Sequence, residues 1–203
     1  MFISFEGIDG VGKSTQADLL EAHLVGLSRE VVRTLEPGGS ELGRDIRKLL
    51  LHSGHVDARA EALLYAADRA HHVATVIRPA LAEGKVVITD RYLDSSVAYQ
   101  GAGRILGATE VRDLSMWAIQ GLLPVLTVLL DLDAAGAVAR RAKTGSAPDR
   151  LEREKLEFFE AVRASYLELA AAEPERFLVV DARLSVDEIQ SQIRARVDEL
   201  LGL

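Results

Sequence analysis

The chain has 203 residues, of which 48% are hydrophobic and 27% charged, and its formal net charge is -7. This length suits one domain with one sizeable core, and the acidic balance argues against a stable nucleic-acid partner. Cysteine is absent, which excludes disulfides and thiolate metal sites. The first residues lack the basic region and the apolar length of a signal peptide, and no apolar run approaches the roughly 20 residues of a membrane span. We therefore expect a cytoplasmic protein without a membrane partner.

Apolar, β-branched runs alternate with helical patterns along the chain. The runs predict strands at residues 2–6, 31–35, 86–90, 125–131 and 177–181. Helices are predicted at residues 13–27, 42–51, 58–82, 109–120, 134–143, 151–172 and 185–201. Thr109 is the predicted N-cap of its helix, and Ser185 with Glu188 predicts a capping box at the start of the last one.

This alternation predicts an α/β fold, a three-layer sandwich with a five-stranded parallel sheet flanked by helices. We expect residues 1–203 to form one domain, with a mobile loop at residues 144–148. Ligands of such sheets bind at the carboxyl ends of the strands. The segments that follow the first three strands should therefore meet at one edge.

A glycine-rich loop lies between the first strand and the first helix and matches G-x-x-x-x-G-K-[ST], the phosphate loop of nucleoside triphosphate-binding proteins. Backbone N–H groups and the helix N-terminus would surround the phosphates, the lysine would add a point charge, and the serine hydroxyl would coordinate Mg²⁺. The alternative is a simple glycine turn. The predicted ATP-binding residues of this segment are Gly7, Ile8, Asp9, Gly10, Val11, Gly12, Lys13, Ser14 and Thr15.

Asp90 ends the third predicted strand, and Arg91 follows it directly. A carboxylate there could share the Mg²⁺ with Ser14, and an arginine could bind a phosphate through its two-pronged guanidinium. An ordinary strand-end carboxylate and a salt bridge are the alternatives.

Other basic residues could also bind a ligand, and each has a simpler alternative. Arg47 lies on a short predicted helix, where it is either a ligand or a solvated charge. Tyr65 and Arg69 are four positions apart and share a helical face, so they could read a base or could simply be half-buried. A basic cluster at residues 140–153 flanks the predicted mobile loop and could form a lid over polyphosphate; a charge-mixed helix pair is the alternative.

Taken together, these segments resemble the thymidylate kinase family of P-loop nucleoside monophosphate kinases. The resemblance rests on F-E-G-I-D-G-V-G-K-S-T-Q at residues 5–16, E-P-G-G at 36–39, D-R-Y at 90–92, A-Y-Q-G at 98–101 and D-R-L-E at 149–152. It implies a P-loop NTPase fold with a lid around residues 140–153, and transfer of the γ-phosphate of ATP to dTMP for dTTP synthesis. It also implies Mg²⁺ as cofactor, a homodimer and a cis Glu36–Pro37 bond. The elements at residues 58–82 and 109–120 are candidate interface segments.

The resemblance also implies a role for each site residue. Arg91 and Arg47 would hold the dTMP phosphate, Tyr65 would stack on thymine, Arg69 would bond its O4, and Tyr99 would lie against the sugar 2′ position. The implied dTMP-binding set is Asp9, Glu36, Arg47, Tyr65, Arg69, Arg91, Ser96, Tyr99 and Gln100. The implied catalytic set is Lys13, Arg91, Asp9 and Lys143, with Ser14 and Asp90 holding Mg²⁺ and Arg140 added to the ATP site.

Departures from the family pattern affect the donor side and the base pocket. Leu35 stands where arginine is common, and Tyr65 where phenylalanine is usual. Gly10 stands where one branch of the family has an arginine, and no arginine lies between Arg141 and Arg150, where the other branch has its catalytic one. We therefore predict Lys143 as the lid cation, with Arg140, Arg141 and Arg150 as rivals. A kinase for another nucleoside or nucleotide and a non-catalytic nucleotide-binding switch are the alternative functions.

Overall fold

The computed structural model describes residues 1–102, 106–142, 150 and 154–203. All of its strands are parallel, as the sequence predicts. They are β1 (Phe2–Glu6), β2 (Val31–Leu35), β3 (Val86–Asp90), β4 (Leu126–Asp131) and β5 (Phe177–Asp181). The strand order in the sheet is β2-β3-β1-β4-β5, and register is set by pairs such as Ile3 with Ile88 and Ile3 with Leu126.

Helices cover both faces of this sheet and complete the predicted three-layer sandwich. The α-helices are α1 (Lys13–Gly26), α2 (Glu41–His52), α3 (Ala58–His72), α4 (Arg78–Ala82), α5 (Leu93–Ser96), α6 (Ala108–Ile119), α7 (Ala134–Ala142), α8 (Leu156–Ala172) and α9 (Val186–Leu201). Two π-helical turns, Val73–Ile77 and Val97–Ala102, join α3 to α4 and extend α5. Helices α1 and α9 pack together on one face, and α4, α5 and α8 pack on the other.

The strands are buried because both faces of the sheet are covered. Successive side chains of β1 point to opposite faces: Phe2 packs with Val87 in one apolar cluster, while Ile3 and Phe5 belong to the other. After β1 the chain moves to β2, at one edge of the sheet. After β3 it moves in the opposite direction, past β1, to β4. This reversal opens a crevice at the carboxyl ends of β1 and β3, where ligands of open α/β sheets bind.

Two predicted helix starts were wrong. Helix α6 begins at Ala108 with Gly107 as an extended N-cap that lacks a side-chain cap, so Thr109 lies inside the first turn. Helix α8 begins at Leu156, after an extended Lys155, rather than at residue 151. The capping box of Ser185 and Glu188 is confirmed, because there the side chains themselves specify the start. The predicted helical run over residues 58–82 is also confirmed, with π hydrogen bonding just before Pro79, which has no N–H to donate.

Candidate active site

The loop between β1 and α1 has the backbone geometry of a phosphate cradle. Gly7 and Gly10 have φ of 129° and 88°, a region that side-chain-bearing residues rarely adopt. A Cβ on Gly7 would lie 2.6 Å from the carbonyl oxygen of Leu130, and one on Gly10 would lie 2.7 Å from that of Ala137. In this structure a side chain at either position would therefore meet both an unfavourable backbone conformation and the close approach of β4 or α7.

Lys13 is buried inside this loop. Its Nζ donates hydrogen bonds to the carbonyl oxygens of Gly7 and Ile8, each at 3.1 Å, and lies 3.9 Å from the carboxylate of Asp9. Burial lowers the pKa of Lys13, and Arg91 lowers it further. The ammonium is thus held at the first turn of α1, where N–H groups and the helix dipole already favour an anion.

The predicted metal ligands meet at the start of α1. Ser14 Oγ donates to Asp90 Oδ2 at 3.0 Å, which joins the first turn of α1 to the end of β3. Among residues 1–102, 106–142, 150 and 154–203, no group of three or more His, Asp or Glu side chains is arranged to hold a metal ion. A hydroxyl with one carboxylate fits Mg²⁺, which keeps several waters and is completed by substrate phosphates.

Arg91 lies at the centre of the crevice with a left-handed backbone, φ 70°. Its Nη2 donates to Asp9 Oδ1 at 2.6 Å and to Tyr99 Oη at 3.2 Å. Its Nη1 donates to the carbonyl oxygen of Gly7 at 3.1 Å, and its guanidinium stacks 4.9 Å from the centre of the Tyr99 ring. The structure therefore contains the salt bridge that was the alternative for Arg91, but places it in the crevice.

Asp9 completes this ionic centre. Burial would raise the pKa of Asp9, but the charges of Arg91 and Lys13 outweigh it and lower that pKa overall. Tyr99 Oη also donates to Asp9 Oδ2 at 3.2 Å. The carboxylate is therefore ionised at neutral pH, and it holds Arg91 and Tyr99 in one fixed arrangement.

Glu6 and Tyr166 were missed by the sequence reasoning. Glu6, at the end of β1, accepts hydrogen bonds from the backbone N–H of Tyr92 at 2.8 Å, Ser95 Oγ at 2.6 Å and Tyr166 Oη at 3.0 Å. Burial and the nearby Asp94 raise the pKa of Glu6 to about 7, against the opposing effect of Ser95, Arg91 and the Tyr92 N–H. An acid inside an apolar strand was a signal for Glu6, whereas Tyr166 in α8 had none.

A second cleft, of about 560 Å³, lies beside the phosphate loop. Every residue of the predicted dTMP-binding set lines it: Asp9, Glu36, Arg47, Tyr65, Arg69, Arg91, Ser96, Tyr99 and Gln100. The phosphate-loop cleft is lined by Asp9, Gly10, Gly12, Lys13, Ser14, Thr15, Leu35, Glu36, Arg47, Asp90 and Arg91. The two clefts share Asp9, Glu36, Arg47 and Arg91.

The arginines of the second cleft are not solvated surface charges. Arg69 is 1% exposed, and it donates to Glu36 Oε2 at 2.7 Å, to Ser96 Oγ at 3.1 Å and to the hydroxyl of Ser115 at 3.2 Å. Arg47 Nη1 donates to the carbonyl oxygen of Pro37 at 2.8 Å, beside the cis Glu36–Pro37 bond that the resemblance implied. Both guanidiniums are therefore fixed by protein oxygens at the wall of the cleft.

Behind Gln100, a buried acid bonds one residue of the predicted dTMP-binding set and one of the rival lid cations. Glu61 Oε1 accepts from Gln100 Nε2 at 3.0 Å, and its other oxygen accepts from Arg150. Arg150 also donates through Nε to the carbonyl oxygen of Leu50 at 2.9 Å. Arg150 is thus engaged at the base end of the cleft and not at the phosphate loop.

The remaining predicted donor-side cations lie on or after α7. Arg140 is exposed on that helix and does not line the phosphate-loop cleft. The backbone N and Cβ of Arg141 would each lie 3.3 Å from a Cβ on Gly10, so α7 packs against the loop at this point. The predicted lid segments at residues 143–149 and 151–153, Lys143 among them, lie outside the described residues.

Asp68 provides a pH-dependent prediction for stability. Burial and the charge of Glu36 raise the pKa of Asp68 to about 6, against an ordinary 3.8, although Gly38 N donates to Oδ1 at 3.1 Å. A raised folded pKa means that stability is lost as the pH rises through 6. Asp68→Asn removes the ionisable group and with it this loss of stability. The unfolding free energy of Asp68→Asn minus that of the parent should therefore increase by about 2–3 kcal/mol between pH 4 and pH 7.

Denaturant unfolding at both pH values measures this difference. Asp45→Asn is the exposed control: Lys48 lowers the pKa of Asp45, so its small effect should have the opposite sign. A difference for Asp68→Asn that does not change with pH would contradict the raised pKa.

The fold and this pair of joined clefts define a P-loop phosphotransferase. One cleft has the phosphate loop and a serine–aspartate pair suited to Mg²⁺, and the other has cations and aromatic side chains suited to a second nucleotide. The model for thymidylate kinase matches residues 5–193 of the chain. The chain therefore belongs to the thymidylate kinase family.

Individual relatives agree with this assignment. The chain is 65% identical over 199 residues to a thymidylate kinase of Leifsonia xyli subsp. xyli, covering 98% of this chain and 94% of the relative. It is 62% identical over 203 residues to one of Clavibacter sepedonicus, covering 100% and 96%. The crystal structure of thymidylate kinase from Ehrlichia chaffeensis is similar with a TM-score of 0.79 and 31% identity, covering 97% of this chain and 98% of that one.

Proposed function

We propose that this protein transfers the γ-phosphoryl group of ATP to dTMP, giving dTDP and ADP for dTTP synthesis. The observation that carries the proposal is the joining of two clefts at Asp9, Glu36, Arg47 and Arg91. The donor and acceptor phosphates would meet at these shared residues. Family membership supports the same reaction, and we also propose a cytoplasmic location for it.

The chemistry needs positioning and charge neutralisation rather than a protein nucleophile, because the acceptor phosphate is already an anion. Lys13 would bind the β- and γ-phosphates, and Arg91 would bind the dTMP phosphate and hold it against the γ-phosphate. Ser14 and the carboxylate of Asp90 would hold Mg²⁺, which would supply positive charge to neutralise the donor phosphates. Asp9 would keep Arg91 oriented between the two substrates.

Base and sugar selection are assigned to the other end of the second cleft. Tyr65, packed on Ile46 and Leu50, would present its ring to thymine. Arg69 has one Nη1 hydrogen left for an acceptor such as the thymine O4 once its four bonds to Glu36, Ser96, Ser115 and the Tyr92 carbonyl are made. Gln100 and Ser96 would line the base edge, and Tyr99 would exclude a ribose 2′-hydroxyl.

The reaction is tested by incubating the protein with ATP, Mg²⁺ and dTMP and separating the nucleotides. We expect dTDP and ADP in equal amounts, and ADP formation far slower when dTMP is omitted. Binding of dTMP without dTDP formation, or ATP hydrolysis independent of dTMP, would favour a nucleotide-binding switch and contradict the proposal.

We also propose Lys143 as the lid cation that stabilises the transition state. Arg150 bonds Glu61 and the Leu50 carbonyl instead of the phosphate loop. The remaining candidates for the lid cation are Lys143, Arg140 and Arg141. Lys143→Ala should lower kcat by roughly 10²-fold, since it removes a charge-stabilising group. Steady-state kinetics measures this, and a kcat equal to that of the parent would return the role to the arginines.

We further propose a homodimer formed through α3 and α6. These helices pack side by side, and their outer surface carries Leu63, 58% exposed, and Trp117, 79% exposed. Large apolar side chains exposed on two adjoining helices support an interface at this surface. Light scattering should give twice the chain mass of 22.0 kDa for the parent and a smaller mass for Leu63→Asp. A parent of monomer mass would contradict this.

A further inference from the structure

The side chains of Glu6, Ser95 and Tyr166 form a buried group directly behind the guanidinium of Arg91. Arg91 Nη1 donates to Ser95 Oγ at 3.1 Å and to Tyr166 Oη at 3.4 Å. Both hydroxyls also contact Glu6 Oε2, at 2.6 and 3.0 Å, and they lie 2.8 Å from each other. Glu6 itself makes no ion pair within 4.0 Å among the described residues, so its contacts are with neutral donors.

The carboxylate determines which way the hydroxyl protons point. Each hydroxyl has one proton and two lone pairs, and above the raised pKa of Glu6, about 7, its ionised carboxylate only accepts. The Ser95 hydroxyl therefore donates to Glu6, and the Tyr166 hydroxyl donates either to Glu6 or to Ser95. The lone pairs are left facing Arg91 Nη1, which only donates. Each hydroxyl can accept from Arg91 because Glu6 accepts its proton.

Glu6 also holds the backbone that presents Arg91. The N–H of Tyr92, the next residue, donates to Glu6 Oε1 at 2.8 Å. Arg91 has φ 70°, a conformation that costs a non-glycine residue of order 1–3 kcal/mol unless its surroundings hold it. The same carboxylate thus fixes the main chain beside Arg91 and the hydroxyls behind its side chain.

We propose that Glu6 is a positioning residue for the acceptor phosphate: through Ser95, Tyr166 and the Tyr92 N–H it fixes the orientation in which Arg91 meets dTMP. It does not touch substrate, since the lining of both clefts omits it. This inference rests on the proposed function, in which Arg91 binds the dTMP phosphate.

Glu6→Gln tests the proposal with almost no change of shape. Tyr92 N–H needs an acceptor, so the amide oxygen would face it and the amide NH₂ would face the two hydroxyls. The hydroxyl protons would then turn toward Arg91 Nη1, placing donor against donor. At pH 8, kcat/KM for dTMP should fall by about 10- to 100-fold, with the KM for ATP within about 3-fold of the parent.

A destabilised control separates this effect from loss of fold. Glu188→Ala removes the side chain that completes the α9 capping box, in a helix that contributes no residue to either cleft, and should lower Tm while leaving both kinetic constants near those of the parent. Equal loss of kcat/KM for dTMP in Glu188→Ala and Glu6→Gln would overturn the proposal, because stability alone would then explain it.

Removing the two hydroxyls tests the proposal in a second way. Ser95→Ala and Tyr166→Phe should each lower kcat/KM for dTMP by about 3- to 10-fold. These single variants test the proposal even if Glu6→Gln does not fold. In the doubly substituted background no proton can turn toward Arg91, so adding Glu6→Gln should cost less than about 3-fold more. A Glu6→Gln effect of full size in that background would overturn the proposal.

Parent activity separates the two claims. If the parent forms no dTDP, the proposed function fails, and the positioning role that rests on it fails as well. If the parent forms dTDP but Glu6→Gln, Ser95→Ala and Tyr166→Phe all retain its kcat/KM for dTMP, the positioning role fails and the function stands.

Discussion

Replacing Lys13 by alanine is expected to lower kcat by about 10³-fold or more while leaving dTMP affinity nearly unchanged. The ammonium is buried in the phosphate loop, where we propose that it neutralises donor charge that grows in the transition state, and groups of this type contribute about 10²–10⁵ in rate. Lys13 does not line the second cleft, which is proposed to bind dTMP, so dTMP binding should persist.

Steady-state kinetics and calorimetric dTMP binding measure the two halves of this prediction. Lys48→Ala is the control, because Lys48 is exposed and pairs only with Asp45 among the described residues. Near-normal turnover in Lys13→Ala would remove Lys13 from the catalytic set.

Replacing Arg91 by lysine should lower kcat/KM for dTMP by about 10²–10³-fold even though the positive charge is kept. The guanidinium bonds Asp9 and Tyr99 through one nitrogen and Gly7, Ser95 and Tyr166 through the other. An ammonium cannot make this set at once, and it binds a phosphate as a point charge rather than as a fork.

Arg78→Lys is the matched control for this change. Arg78 Nη2 donates to the carbonyl oxygens of Ile119 and Gln120, away from both clefts, so its replacement should leave kcat/KM for dTMP close to that of the parent. An Arg91→Lys variant with the kinetics of Arg78→Lys would show that the fork is not needed at the acceptor phosphate.

Local patterns were enough for the sheet and the phosphate loop. The apolar runs at β1 and β3 predict buried strands, and ligands of parallel sheets bind at the carboxyl ends of the strands, so Ser14 and Asp90 are predicted to lie together. The resemblance implied the acceptor residues, and in the structure they line one cleft, while their roles stay a prediction. Both sets of residues lie in short segments with a recognisable local pattern.

The contacts behind these residues could not be read from the sequence. Glu6 and Tyr166 are 160 positions apart, and nothing in α8 distinguishes Tyr166 from an ordinary core tyrosine. The Arg150 contact with Glu61 depends on a fold that brings the end of the predicted lid to α3. Helix starts without side-chain caps, such as that of α6, were equally hidden, because no residue there specifies the first turn.

The most direct test of the central claim is an acceptor panel with the purified protein, ATP and Mg²⁺. ADP release is measured with dTMP and with the cytidine, adenosine and guanosine monophosphates. We predict kcat/KM for dTMP far above the other three, because Tyr65, Arg69 and Gln100 line the cleft and are proposed to select thymine. Equal rates with all four acceptors would contradict a dTMP kinase.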